Sequence, residues 1–184
     1  ENRLIRPLNY PENTPGKGSG LYTTRSGDKI FVAQVMGCLF MEPLENPFNE
    51  VEKCLSKITL GADVKCIILD IHAEATSEKM AMGQYLDGRV SMVIGSHSHI
   101  PTADTQILPG GTAYQTDAGM CGDYDSVIGM KKEPSVNRFV QKLDNQRLEP
   151  AEGEATVCGV LLETDDISGL ALRVHAIRVG GRLT

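Results

Sequence analysis

The sequence predicts a single mixed α/β domain over residues 1–184, and three features of the chain lead to this prediction. Short aliphatic runs, typical of buried strands, alternate with segments whose apolar residues recur at helical spacing. The last third instead contains two β-rich segments joined by a turn. The length suits one hydrophobic core, and the chain shows no internal repeat, low-complexity tract or clear domain boundary.

Strands are predicted from the aliphatic runs. Residues 7–28 are rich in Pro, Gly, Asn, Thr and Ser and are expected to form a long loop before the first strand. The run at residues 64–70 is the clearest strand, because it is too apolar to keep one face in water. Residues 164–169 carry a hairpin signal between the last two strands. The predicted strands are residues 30–35, 64–70, 90–94, 112–116, 155–163 and 170–179.

Three helices are predicted from apolar spacing and end signals. The first, residues 47–59, begins where Asn46 supplies an N-cap immediately before a proline. The second, residues 76–87, is followed by Gly88, a residue that favours the helix C-terminus. The third is expected over residues 134–143.

Composition narrows the classes of function. Eighteen Lys and Arg against 24 Asp and Glu give a formal charge of −6, so the positive surface of a protein that binds bulk nucleic acid is absent. A small phosphodiester substrate remains compatible, because bound cations supply local positive charge. Five cysteines without a Cys-x-x-Cys pair argue against a disulfide framework and a zinc knuckle. Without a membrane-length apolar run or a signal peptide, the sequence predicts a cytoplasmic protein.

Three of the four histidines follow predicted strands. His72 follows the second predicted strand, while His97 and His99 follow the third, in the segment that begins at Gly95. Ligands of α/β sheets bind beyond the carboxyl ends of the strands, so these imidazoles could converge on one site. Residues two apart point to the same side of an extended segment, and neutral imidazole is a common metal ligand. The pattern favours a metal site, and the alternative is three loop histidines hydrogen-bonded to carbonyl groups.

Four other polar residues differ in how closely their positions tie them to this site. Glu74 lies near His72 at the start of a predicted helix, where a solvated side chain is the simpler interpretation. Asp104 and Asp117 flank glycine-rich turns and could orient the histidines, although Asp commonly forms such turns itself. His175 alternates with apolar residues, which places it on a solvated face and outside the site.

The sequence blocks around the histidines form a recognisable set. Residues 71–79 read Ile-His-Ala-Glu-Ala-Thr-Ser-Glu-Lys, residues 87–91 read Asp-Gly-Arg-Val-Ser, and residues 95–104 begin Gly-Ser-His-Ser-His. Together with further blocks, this set resembles the YmdB-like branch of the calcineurin-like metallophosphoesterases over nearly the whole chain. The further blocks are residues 6–18, 107–114, 116–120 and 124–130.

The resemblance implies a four-layer α-β-β-α sandwich with two mixed sheets, of which this chain would form a fragment. It also implies a two-metal phosphodiesterase for small substrates such as 2′,3′-cyclic nucleotides. By the family pattern, His72 and His97 would bind one divalent cation and His99 the other, with iron, manganese or zinc as the metal. Two such cations activate water for attack and neutralise phosphoryl oxygens in the transition state.

The chain departs from the family pattern at its start. Family members begin with a Gly-Asp metal ligand, a Glu-Asn pair and a Gly-Asn-His turn whose histidine is the general acid, and the resemblance places residues 1–184 downstream of all three. We therefore expect a domain that lacks its N-terminal segment, retains no catalytic residue, and hydrolyses phosphodiesters poorly. Removal of that segment should expose sheet edges and apolar surface, so we also expect a homo-oligomer.

Two other classes of function remain open. A metallo-amidohydrolase also uses a His-x-His pair at a strand end, but 184 residues are short for a (β/α)₈ barrel and the last third is β-rich. A non-catalytic phosphoesterase-like module would only bind partners. An upstream Gly-Asp and Gly-Asn-His in the same reading frame would favour the enzyme.

Overall fold

The structure is a computed structural model that describes residues 1, 3–141 and 147–183. Its strands are β1 Ser19–Thr23, β2 Lys29–Met36, β3 Cys66–His72, β4 Met92–Ser96, β5 Gln106–Ile107, β6 Ala113–Gln115, β7 Gly122–Asp123, β8 Ala155–Thr164 and β9 Ala171–Val179. Its helices are α1 Pro47–Leu55, α2 Thr76–Tyr85 and α3 Lys132–Gln141. Within these described ranges, no helix is long and apolar enough to cross a membrane.

The strands form two sheets. In the larger, of strand order β1-β2-β3-β4-β6-β5, the four inner strands are parallel, and β1 and β5 are antiparallel edges. The smaller is antiparallel, of order β7-β8-β9, and contains the predicted hairpin. The prediction of a mixed α/β fold with two sheets is confirmed. The large sheet is open in the described part of the chain, which argues against the barrel that an amidohydrolase would require.

The two faces of the large sheet differ in polarity. On one face, apolar side chains of β2 and β3, among them Val35 and Ile71, pack in one cluster with Val51 of α1 and Met82 of α2. Full burial of a side chain of this size stabilises a fold by about 1.5–3 kcal/mol. The opposite face is only half-buried and carries polar side chains near the carboxyl ends of the strands. The candidate site lies at this polar end.

Several element boundaries differ from those predicted. Strand β1 lies inside the predicted loop 7–28 and exists because its residues pair with β2, for example Leu21 with Phe31. The two-residue strands β5 and β7 were also not predicted, since such short strands depend on a partner rather than on their own composition. The strand predicted at 64–70 is shifted, so His72 is its last residue rather than the residue beyond it. Helix α3 starts two residues before its predicted start, and the last two residues of the predicted helix 134–143 lie outside the described residues.

Candidate metal centre

Two of the three candidate histidines meet at the carboxyl edge of β3 and β4. His72 ends β3 and lies in register with Ser96, the last residue of β4, and His97 follows directly. The two imidazole rings have centroids 4.8 Å apart and are inclined by 84°. His72 Nε2 lies 3.1 Å from His97 Nδ1. Parallel strand pairing thus brings together two ring nitrogens that are 25 residues apart in sequence.

A chain of hydrogen bonds determines which nitrogen of His72 carries its proton. Ser96 Oγ donates to Asp70 Oδ1 at 2.8 Å, because a carboxylate can only accept. The same hydroxyl oxygen is therefore the acceptor for His72 Nδ1–H at 3.1 Å. Gln34 Nε2 donates to the other Asp70 oxygen at 2.6 Å and holds the carboxylate in place. Burial lowers the pKa of His72, and the nearby His97 lowers it further, so the neutral ring is favoured with its lone pair on Nε2.

Glu74 fixes the orientation of His97 in the same way. Its Oε2 lies 3.0 Å from His97 Nε2, and this carboxylate favours a proton on that nitrogen. The lone pair of neutral His97 is then on Nδ1, the atom that faces His72 Nε2. In that tautomer both nitrogens carry lone pairs at a separation of 3.1 Å, and a cation bound by both would relieve their repulsion.

The spacing of these two nitrogens fits a divalent cation. Ligand nitrogens about 2.1 Å from one ion are about 3.0 Å apart in octahedral and about 3.4 Å apart in tetrahedral geometry. The observed separation of 3.1 Å lies between these values. A proton on His97 can also satisfy the pair, so metal ion and proton compete for this position.

His99 is oriented by a contact different from those of His72 and His97. Its Nδ1 lies 2.7 Å from the carbonyl oxygen of Ile128, which can only accept, so Nδ1 carries the proton and Nε2 is free. His97 and His99 both have positive φ, of 103° and 68°. The rule that residues two apart face the same side holds for extended backbone and does not apply at such angles. In the part of the chain that the structure describes, no set of three or more His, Cys, Asp or Glu residues is placed to hold one metal ion.

The three acidic residues that the sequence suggested, Glu74, Asp104 and Asp117, make different contacts. Glu74 contacts an imidazole directly, as described above. Asp117 Oδ2 accepts from the backbone N–H of Ser98, the residue between the two histidines, at 2.9 Å. Asp104 accepts from Thr116, through the hydroxyl at 2.5 Å and the amide at 3.2 Å, and so braces the segment that precedes Asp117.

Some residues of the site were not predicted from the sequence. Strand pairing is what brings Asp70 and Ser96 to the histidines. In the sequence, the position of Ser96 directly before His97 was the one signal that could have indicated its role. Lys79, which forms a buried ion pair with Asp117, was also missed. The predicted exposure of His175 is confirmed, since it lies on β9 with its side chain in solvent.

A recess of about 430 Å³ lies at the carboxyl end of β2, the strand that pairs with β3. Met36, on its wall, is the register partner of His72. The loop that follows β2 is anchored to the site, because Gly37 N donates to the His72 carbonyl at 2.9 Å. The recess is lined by Tyr10, Pro11, Thr14, Met36, Glu42 and Leu44.

The fold is similar to that of a solved phosphatase and of a second solved structure. One similar solved structure, described as a novel phosphatase from Mycoplasma pneumoniae, superposes with a TM-score of 0.87 at 34% identity, over 98% of this chain and 64% of the other. Another, a hypothetical protein from Thermus thermophilus, gives a TM-score of 0.88 at 39% identity, over 97% of this chain and 68% of the other.

The chain belongs to the YmdB-like protein family, whose family model matches residues 1–177. Among curated proteins it is similar to the 2′,3′-cyclic-nucleotide 2′-phosphodiesterase of Bacillus subtilis (strain 168), with 43% identity over 176 residues. That match covers 96% of this chain and 65% of the relative, so the chain spans less than two thirds of the relative's length.

Proposed function

We propose that residues 1–184 form one metallophosphoesterase-like domain of a divalent-metal-dependent phosphodiesterase for small substrates such as 2′,3′-cyclic nucleotides. His72 and His97 hold one cation, and His99 contributes to a second. The observation that carries the proposal is the pair of facing nitrogens, 3.1 Å apart, whose protons are drawn to opposite sides by Ser96 and Glu74. The name of the Bacillus relative supports the substrate class.

All three histidines share the arrangement usual for metal ligands. A ligating imidazole normally donates its other N–H to a carboxylate, a carbonyl or another fixed acceptor, which sets the tautomer and the ring orientation. His72 has Ser96, His97 has Glu74, and His99 has the Ile128 carbonyl. Iron, manganese or zinc, when bound, would activate water for attack on phosphorus and stabilise charge on the phosphoryl oxygens.

We further propose that the recess beside Met36 receives the nucleoside part of the substrate. Its volume of about 430 Å³ falls within the range of small-molecule sites. Tyr10 offers an aromatic face, and the carboxylate of Glu42 can accept a hydrogen bond from an exocyclic amine of a base. Tyr10→Leu should therefore raise KM for a cyclic nucleotide while leaving hydrolysis of base-free ribose cyclic phosphate unchanged. Equal effects on both substrates would refute this placement.

The charge of the ligands bears on the activity of the 184-residue chain by itself. Two dications at short distance repel each other and require anionic ligands, whereas His72, His97 and His99 are neutral. We infer that a Gly-Asp ligand and a Gly-Asn-His general acid outside these residues complete the site. The 184-residue chain should therefore be a poor phosphodiesterase, and a form that includes those motifs a competent one.

Self-association is a further part of the proposal. Apolar side chains of the β8–β9 hairpin are exposed, including Val157, Leu161, Leu172 and Val179. Exposed apolar surface of this kind is commonly covered by another chain. Light scattering should show an oligomer, and a stable monomer at high concentration would contradict this part.

The decisive assay is hydrolysis of 2′,3′-cyclic AMP with Mn²⁺, Fe²⁺ or Zn²⁺, for the 184-residue chain and for a form that carries the two upstream motifs. In the active form, His72→Ala and His97→Ala should each reduce kcat/KM by more than the roughly 10- to 100-fold typical of outer-shell partners. His175→Ala is the matched control and should be unchanged. Activity that survives both site substitutions would refute the metal assignment. A longer form inactive with every metal would favour the non-catalytic module.

A further inference from the structure

A lysine and an aspartate form a buried ion pair next to the turn that contains His97 and His99. Lys79 Nζ lies 2.9 Å from Asp117 Oδ2, and the two side chains are only 1% and 2% exposed. Removing two charges from water is costly, and replacing such a pair by apolar residues of similar volume is often neutral or stabilising. Stability alone therefore does not explain a charged pair at this position.

Asp117 holds the histidine turn as well as the lysine. Its Oδ2 accepts from the Ser98 amide at 2.9 Å, and its Oδ1 accepts from the Gly119 amide at 2.9 Å. Ser98 lies between His97 and His99, which have left-handed φ values of 103° and 68°. Such conformations are unfavourable for residues other than glycine and persist only where the surroundings impose them. The carboxylate of Asp117 is such a constraint.

The aliphatic part of the Lys79 side chain lies close to Gly95, just before the same turn. A Cβ added at Gly95, two residues before His97, would lie 2.9 Å from Lys79 Cδ and 1.7 Å from the Thr116 carbonyl oxygen. Helix α2 and the segment after β6 therefore both pack closely against Gly95 at the end of β4. Two backbone hydrogen bonds of 2.9 Å join the segment after β6 to the histidine turn, from Ala118 N to Gly95 O and from Met120 N to His99 O.

We propose that the buried Lys79–Asp117 pair is a positioning device that sets the directions of the His97 and His99 rings. The proposal rests on the proposed function of these histidines as metal ligands. Among the described residues neither Lys79 nor Asp117 forms a hydrogen bond with an imidazole; their charges act on His72 with opposite signs, and the pair reaches His97 and His99 through the Ser98 amide. Lys79 keeps the carboxylate ionised and fixed, and the carboxylate in turn fixes the left-handed turn.

The test compares charged and apolar versions of the pair in the form of the protein that includes the upstream motifs. Lys79→Met with Asp117→Leu removes both charges and replaces them with apolar side chains of similar shape. The matched control is Arg89→Met with Glu52→Leu, which removes an ion pair of the same 2.9 Å length from an exposed position on the surface. Lys79→Met with Asp117→Asn, which removes both charges and retains the shape and one acceptor oxygen of Asp117, replaces the first double variant if that variant does not fold.

Three quantities are measured for each variant: the denaturant midpoint, Mn²⁺ affinity by calorimetry, and the ¹⁵N shifts of the imidazoles without metal. The buried-pair variant should have a lower midpoint, because the Ser98 and Gly119 amides lose their acceptor, lose roughly 10- to 100-fold in Mn²⁺ affinity, and show altered shifts for His97 and His99. The surface control should change none of these. Wild-type affinity together with wild-type shifts in the buried-pair variant would overturn the proposal.

The imidazole shifts separate this proposal from the proposed function. They report ring orientation and tautomer in the absence of metal and substrate. If the wild-type protein binds no metal, the proposed function fails. The shifts of the variants still decide whether the buried pair positions the rings.

Discussion

Ser96→Ala offers the sharpest test of the histidine pair. The Ser96 hydroxyl accepts from His72 Nδ1 at 3.1 Å and donates to Asp70 at 2.8 Å. Alanine removes the acceptor that keeps the His72 lone pair on Nε2, facing His97. Loss of a comparable outer-shell partner lowers metal affinity by about 10- to 100-fold, which corresponds to about 1.4–2.8 kcal/mol at 1.4 kcal/mol per tenfold.

The effect on folding should be smaller than the effect on metal binding. The net contribution of a hydrogen bond to stability is about 0.5–1.5 kcal/mol, and Asp70 keeps its bond from Gln34 at 2.6 Å. The metal-free Ser96→Ala protein should therefore lose about 1 kcal/mol of unfolding free energy. Calorimetric titration with Mn²⁺ or Zn²⁺ measures the affinity, and urea unfolding without metal measures the stability.

Ser98→Ala is the matched control, because it makes the same chemical change two residues away. The Ser98 hydroxyl makes a long contact of 3.4 Å with the Ile100 carbonyl and also interacts with Asp117, but it contacts no imidazole in the described residues, and the Ser98 amide still donates to Asp117 in the variant. Its metal affinity should stay within about twofold of wild type, because the acceptors of His72 and His97 and the bond from the Ser98 amide to Asp117 are all retained. The reasoning is refuted if Ser96→Ala binds metal as tightly as wild type, or if both serine variants weaken binding equally.

Three further predictions concern the surroundings of the pair. Glu74→Ala should weaken metal binding by roughly tenfold, because His97 loses its acceptor, yet change unfolding free energy by less than about 0.5 kcal/mol, because the carboxylate is largely exposed; unchanged affinity in calorimetry would contradict this. Gly95→Ala should destabilise the protein by about 1–3 kcal/mol or more in urea, because its Cβ would lie 1.7 Å from a carbonyl oxygen; a wild-type midpoint would contradict it. Burial raises the pKa of Asp117, but hydrogen bonds from Lys79 and from backbone amides outweigh burial and hold the pKa below its usual range. The ionised Asp117 side chain stabilises the protein above the unfolded pKa of about 3.9, and this contribution is lost as pH falls through the folded pKa. Asp117→Asn should therefore make the free energy of unfolding fall less steeply as the pH is lowered. A pH dependence in acid equal to that of the wild type would contradict this.

Local pattern was sufficient for the main elements of the fold. The strands at the centre of the large sheet were predicted because their aliphatic runs reflect burial, and α1 because its Asn46 cap and apolar spacing are both local signals. The same reasoning placed His72 and His97 near neighbouring strand ends, where strand order brings them together. The short strands were missed because each depends on a partner strand for its existence.

The sequence by itself determined that this protein alternates strands and helices and carries its histidines at strand ends, since period-two and period-3.6 patterns are properties of neighbouring residues. Only the tertiary structure decided which nitrogens face each other. The tautomers of His72 and His97 depend on Ser96 and Glu74, which lie 24 and 23 residues away from them in the chain. The ion pair of Lys79 joins α2 to Asp117 across 38 residues. Folding brings these partners together from distant parts of the chain, so the periodicity of neighbouring residues does not identify them.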